Sequence, residues 1–374
     1  MIIILIRICW KFQQRVFTLF LKLMLNIIFL FIISIIFSLI ITLLVKKLFY
    51  NFKILDNPKK YNKKRKPVPY STGIIFFICF FVLSYFGIEH NQKLYLIWWF
   101  WFIITAISFI DDLFQVSAKK RLIMQTIIWA VIWITSIKIW YISNIFGWIL
   151  DLETIFINIF DFKIFIIPVI FTIFWYVFIF NTVNWTDWIS WNTSWLSIIS
   201  FLILFLLWCI LFLKDDYEWW IKNAEFIMKM TIILIWILIP YWYFEVREKI
   251  LMWDSWTMFL GFMLATIAII SGWKIATVLV VFWIYAVDTI YVVLKRLSTW
   301  KSPLLWDNTH LHHRLLKLWL DKKEVLWLLY FLSFIFWLTA LFLDKLWKII
   351  VFIIIVFIVI FINRIVEKVY LKKE

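Results

Sequence analysis

The chain has 374 residues, 66% of them hydrophobic, and a mean hydropathy of +0.97. This excludes a soluble globule and fits a polytopic membrane protein. The net charge of +16 does not indicate a nucleic-acid partner, because the basic residues gather in loops between apolar runs, where topology and anionic headgroups explain them. Cys9, Cys79 and Cys209 lie far apart in or beside apolar runs, which excludes a disulfide frame and a cysteine metal site.

In chain order, residues 1–23 form an extension of mixed character, with Arg7, Lys11, Arg15 and Lys22 interrupting apolar residues. An interfacial helix, an unusual leader and a mis-assigned start are all compatible with it. Residues 24–366 read as one all-α transmembrane domain, followed by a basic tail at 367–374. About 20 apolar residues cross the hydrocarbon, which puts spans near 24–45, 71–88, 94–110, 122–138, 164–180, 194–213, 226–243, 257–271, 275–294, 325–343 and 348–364. Loops 46–70, 111–121, 181–192, 244–256 and 295–323 and the tail 364–374 carry 9, 3, 0, 2, 7 and 4 Lys/Arg. The positive-inside rule sets this group in the cytoplasm, with the N-terminus outside.

The polar residues that could carry chemistry lie mostly in these same loops. Asp111-Asp112 closes the third span, and Lys119-Lys120-Arg121 follows. Asn181, Asn184 and Asp187 follow the fifth span at three-residue steps, one side of a helical turn. Asp254 precedes the eighth span, Asp288 lies within the ninth, and His310, His312, His313 and Arg314 stand before the tenth. Each group also has an ordinary reading: a solvated boundary for the aspartate pair, helix caps for Asn181, Asn184 and Asp187, a helix-to-helix bond for Asp288. The histidines match no standard zinc spacing. Together, carboxylates, amides, imidazoles and cations on one face describe a site for a hard cation and phosphate.

Glycine is scarce, 5 residues, and tryptophan abundant, 28. Their combined number is close to the ordinary glycine share of roughly 7%. Asp187-Trp188-Ile189-Ser190-Trp191 and Met252-Trp253-Asp254-Ser255-Trp256 set indoles on both sides of a carboxylate, where a phosphate site needs bare backbone. Membrane proteins do place tryptophan at interfaces, but at helix ends rather than within polar loops. The pattern is that of a gene whose UGA codons specify glycine and were rendered as tryptophan.

With glycine restored, Asn181-Thr-Val-Asn184-Trp-Thr-Asp187-Trp188-Ile-Ser190-Trp191 resembles the N-x-x-N-x-x-D-G-x-D-G signature of the polyprenyl-phosphate N-acetylhexosamine-1-phosphate transferases, the MraY/WecA/TagO group. Met252-Trp253-Asp254-Ser255-Trp256-Thr257-Met258-Phe259-Leu260-Gly261 resembles its M-G-D-x-G-S-x-F-L-G. Phe109-Ile-Asp-Asp112 with Lys119 and Gln125 is similar to its D-D segment. Val287-Asp288-Thr289, Ser302-Pro303 and Asp307-Asn-Thr-His310-Leu-His312-His313-Arg314 are similar to its ninth-span end and H-x-H-H loop, and Pro67-Val-Pro69 with Gly73 to the opening of its second span. The resemblance spans roughly residues 50–330 and keeps the motifs in register.

The resemblance implies attack by a polyprenyl phosphate, usually undecaprenyl phosphate, on the β-phosphorus of a UDP-N-acetylhexosamine at the cytoplasmic face, releasing UMP. Mg²⁺, with Mn²⁺ as substitute, is the implied cofactor. It would be held by Asp254 with Asp112 and Asp187. Asp111 and Asp112 would position or deprotonate the lipid phosphate. Asn181, Asn184 and Asp187 would face the nucleotide sugar, His310, His312 and His313 the phosphate oxygens, and Lys119 and Arg314 would add positive charge. The H-L-H-H loop resembles the WecA/TagO branch, favouring a UDP-N-acetylglucosamine donor over the MraY-type UDP-MurNAc-pentapeptide. Ser190 stands where the family has a second aspartate, and Phe244–Leu251 lacks the usual asparagine-and-proline pattern. A transporter or flippase, a catalytically dead scaffold and a homodimer remain open.

Overall fold

The computed structural model describes residues 2–61, 65–70, 72–114, 138–143, 149–159, 162–187, 191–213, 217–271, 275–300, 302, 310–317, 321–342 and 345–371; within some helices only the backbone is described. The helices are α1 (Ile2–Asn51), α2 (Gly73–Gly87), α3 (Gln92–Phe114), α4 (Ile166–Thr186), α5 (Asn192–Phe212), α6 (Glu218–Val246), α7 (Asp254–Ile270), α8 (Ile275–Ser298), α9 (Leu311–Lys317), α10 (Lys322–Phe342) and α11 (Lys345–Leu371). Ten of the expected spans fall on a helix; the one at 122–138 lies almost wholly outside the described residues. Helix is the expected form, because hydrocarbon offers backbone N–H and C=O groups no other partner. Val16–Asn51, Gln92–Asp111, Ile166–Asn184, Asn192–Phe212 and Glu218–Val246 are long and apolar enough to cross a membrane; Gly73–Gly87, Trp256–Ile270 and Val356–Ile365 are shorter apolar helices. The N-terminal extension is continuous with the first span, since α1 runs unbroken from residue 2.

Two short antiparallel hairpins precede α4. Strand β1 (Tyr141–Ser143) pairs with β2 (Ile149–Asp151), and β3 (Phe156–Ile159) pairs with β4 (Phe162–Phe165). The sequence reading did not anticipate them, because strands of three or four residues are too short to show a period. Lys163 Nζ lies 3.9 Å above the Phe156 ring.

The chain divides into two compact units, Met1–Phe109 with Ser197–Trp256, and Ile110–Leu196 with Thr257–Glu374. In the first, α1 and α2 pack on α6. Pro240 inside α6 removes the donor that would serve the Trp236 carbonyl, and at the next carbonyl Ser38 Oγ of α1 donates to Ile237 O at 3.1 Å. Trp98 Nε1 of α3 donates to Ser84 Oγ of α2 at 2.9 Å. In the second unit, α8 carries α4, α10 and α11, with α9 between α10 and α11. Helices α4 and α7 touch closely: a Cβ on Gly261 would stand 3.2 Å from Phe180 Cα. Trp175 Nε1 donates to Ala265 O at 3.2 Å, and the Tyr176 and Thr266 hydroxyls lie 2.8 Å apart.

Candidate active site

The α4–α7 packing determines which polar residues meet. Because the two helices run antiparallel in close contact, the C-terminal end of α4 lies at the N-terminal end of α7. There Asn184 Nδ2 donates to Thr257 Oγ1 at 3.0 Å, joining two motifs that are 73 residues apart in sequence. Asn181 instead donates to its own helix, to Val177 O at 2.7 Å. Asp187 is half-buried and caps α4, its N–H donating to Asn184 O at 3.2 Å.

The turn after Asp187 is closed by residues the sequence reading did not single out. Asn192 Nδ2 donates to Thr186 O at 2.9 Å, and the Thr186 and Thr193 hydroxyls lie 2.7 Å apart. Thr186, Asn192 and Thr193 are all buried. Small polar residues on both sides of a short inter-helix loop were the available signal, since they satisfy backbone groups that the turn exposes.

Asp254 is the first residue of α7, three residues before Thr257; its side chain is outside the described residues. The segment before it is tied to loop 65–72. Leu251 N donates to Pro69 O at 2.9 Å, and Thr72 Oγ1 donates to Leu251 O at 3.0 Å and lies 2.9 Å from Tyr241 Oη. Arg65 holds the loop's other end in a two-pronged pair with Asp56, at 3.1 and 2.6 Å, and Asp56 Oδ1 also accepts the Val68 N–H at 2.8 Å. Asp56 is 5% exposed, so this bidentate pair is worth more than a surface ion pair. The sequence reading had counted Arg65 only as loop charge.

Asp111 is buried in the last part of α3. Asp112 is on the same helix with its side chain outside the described residues, and Lys119 and Gln125 lie outside them altogether. His310 and Arg314 are buried; His312 and His313 are on α9, with side chains outside the described residues. His310 Nδ1 lies 3.0 Å from Asp288 Oδ2, so Asp288 is bonded to the loop rather than isolated within its span. No cluster of three or more His, Cys, Asp or Glu side chains occurs among the described residues.

Residues 94–272, which hold the Asp111-Asp112 pair and both motifs joined at Asn184 and Thr257, match the model of glycosyl transferase family 4. The matched stretch is just under half of the chain. It is 24% identical, over 89% of its own length and 90% of the other's, to the probable undecaprenyl-phosphate N-acetylglucosaminyl 1-phosphate transferase of Bacillus subtilis (strain 168). It is 27% identical to the phospho-N-acetylmuramoyl-pentapeptide-transferase of Staphylococcus epidermidis (strain RP62A), over 75% of this chain and 87% of that one. The same-named protein of Staphylococcus saprophyticus is 24% identical over the same shares. The polyprenyl-phosphate hexosamine-1-phosphate transferase family resembled by the loop motifs is the family the comparisons return. The chain thus resembles family 4 sugar-phosphate transferases and carries multiple apolar helices.

Proposed function

We propose that the protein transfers N-acetylglucosamine 1-phosphate from UDP-N-acetylglucosamine to undecaprenyl phosphate at the cytoplasmic face of a bacterial plasma membrane. A lipid phosphate oxygen attacks the β-phosphorus, the bond from that phosphorus to the bridging oxygen breaks, and UMP departs with the bridging oxygen and its electron pair. The Asn184–Thr257 bond carries this reading most directly, because it sets the amide motif of α4 on the helix that Asp254 opens.

Asp111, Asp112, Asp187 and Asp254 would offer carboxylate oxygens alone, the donor chemistry that Mg²⁺ prefers. Asp254, with Asp112 and Asp187, would hold the ion, which when bound offsets the charge of the two anionic reactants and of the leaving UMP. Asn184 orients the nucleotide sugar and Asp111 the lipid phosphate. A phosphate monoester has a second pKa of ~6, so the attacking group needs alignment more than deprotonation. His310, His312, His313, Lys119 and Arg314 supply donors and positive charge along the phosphate path.

The H-L-H-H loop and the long alignment with the B. subtilis protein favour the acetylglucosamine donor over the muramoyl-pentapeptide one. Giving the purified protein UDP-GlcNAc and UDP-MurNAc-pentapeptide in turn, with undecaprenyl phosphate and Mg²⁺, decides between them. Lipid-linked product from the first alone is expected, and product from the second alone overturns the assignment.

The same reading holds glycine, not tryptophan, at 191, 253, 256 and 300. Backbone conformation supports it: Trp191, Trp253 and Trp300 have φ of 66°, 62° and 55°, a region that costs L-residues about 1–2 kcal/mol each and glycine little. Trp300, two residues past the end of α8 and 98% exposed, stands where helices commonly end on a left-handed glycine. Trp256 is fully buried against Phe76 and Tyr241, at a position where the motif it resembles has glycine. By contrast, Trp98, Trp175 and Trp220 donate their indole N–H to Ser84, Ala265 and Leu211, as tryptophan does. Peptide mass spectrometry of the protein from its native source reads the residues directly; glycine at these four positions is expected, and tryptophan refutes the reading.

A further inference from the structure

The connection from α6 to α7, residues 247–253, leads into Asp254, the first residue of α7. Leu251 within it is held by both backbone groups: its N–H donates to Pro69 O at 2.9 Å, and its carbonyl accepts Thr72 Oγ1 at 3.0 Å. Thr72 Oγ1 also lies 2.9 Å from Tyr241 Oη of α6. Thr72, Tyr241, Ile250 and Met252 are all buried, and the whole set lies in the first compact unit.

A threonine hydroxyl carries one proton. The Leu251 carbonyl takes it, so Tyr241 Oη donates to Thr72 Oγ1, and the direction runs from α6 through Thr72 to the connection. Threonine in front of a helix ordinarily caps it by accepting one of its backbone N–H groups, yet Thr72 makes no such bond to α2. Its hydroxyl is engaged on the segment that leads to Asp254 and not on its own helix. Mg²⁺ tolerates little deviation from octahedral distances of about 2.0–2.1 Å, so a ligand at the end of an irregular connection needs that connection fixed.

We infer that Thr72 is a positioning residue for the divalent cation, acting through Leu251: its hydroxyl, oriented by Tyr241, fixes the backbone that leads into Asp254. The inference rests on the reading of Asp254 as a metal ligand proposed above. Thr72→Val keeps the β-branched shape while removing the donor to the Leu251 carbonyl and the acceptor of the Tyr241 hydroxyl. Loss of a group that orients a metal ligand costs on the order of 10–100-fold in metal affinity.

The test is Mn²⁺ binding to the detergent-solubilised full chain without substrates, followed by electron paramagnetic resonance of the free ion, with a melting curve for each variant. Asp254→Asn should weaken binding, which marks the ion concerned. Thr72→Val should raise the Mn²⁺ dissociation constant by about 10–100-fold, and Thr72→Ser, which keeps the hydroxyl, should restore it. Tyr241→Phe removes only the hydroxyl that orients Thr72; it should raise the constant several-fold and carries the test if the valine variant fails to fold. A variant that melts lower yet binds Mn²⁺ as the unmutated protein does overturns the inference and makes the hydroxyl architectural. Mn²⁺ binding that Asp254→Asn leaves unchanged refutes the metal assignment and this inference with it. Mn²⁺ binding that depends on Asp254 and Thr72, in a protein that forms no lipid product, refutes the reaction and leaves the inference standing.

Discussion

At the residue scale, the account depends on a few carboxylates and amides. Asp254→Asn keeps the shape of the first α7 residue and removes its charge, so activity should fall by at least about 100-fold while the protein still inserts in membranes; turnover near that of the unmutated protein would remove Asp254 from the metal set. Thr257→Val leaves the Asn184 amide without its partner at 3.0 Å. It should lower thermal stability by the equivalent of about 1 kcal/mol and raise KM for the nucleotide sugar; an unchanged KM would make the contact purely structural. In the sequence, Asp187, Asp254 and the histidines stand out because they sit in short polar loops between apolar runs. Thr186, Thr193, Asp56 and Arg65 do not, since their roles depend on partners brought near by folding.

At the scale of elements, the decisive feature is how near α4 comes to α7. Gly261 permits that approach, because the Cβ of any other residue would press on Phe180 Cα at 3.2 Å. Gly261→Leu should force the two helices apart at a cost of about 1–3 kcal/mol and reduce transfer through the displaced Asn184. A melting curve and kcat measured together check this, and a variant matching the unmutated protein in both would show that the helices tolerate separation. The helices themselves were legible from apolar run length, since ten of the expected spans fall on described helices. The hairpins at 141–165 were hidden by their brevity, and the continuity of α1 through residues 1–23 by its basic interruptions, which a helix accommodates by extending long side chains toward polar surroundings.

At the scale of the whole molecule, multiple apolar helices and the likeness to family 4 support the proposed membrane transferase. The scarcity of glycine bears on the whole chain too, because three of its tryptophans, Trp191, Trp253 and Trp300, stand in left-handed backbone. Protein synthesised with glycine at 191, 253, 256 and 300 should melt several degrees higher than the tryptophan form, as relief of about 1–2 kcal/mol per left-handed residue implies. Equal melting temperatures would indicate that the indoles belong there.

The central claim is sugar-phosphate transfer, and UMP release measured alongside capture of labelled sugar in the lipid phase tests it most directly. With purified protein, labelled UDP-GlcNAc, undecaprenyl phosphate and Mg²⁺, the account predicts one UMP for each labelled lipid, both absent when the lipid phosphate is left out. Solute flux across vesicles with no UMP formed would contradict it.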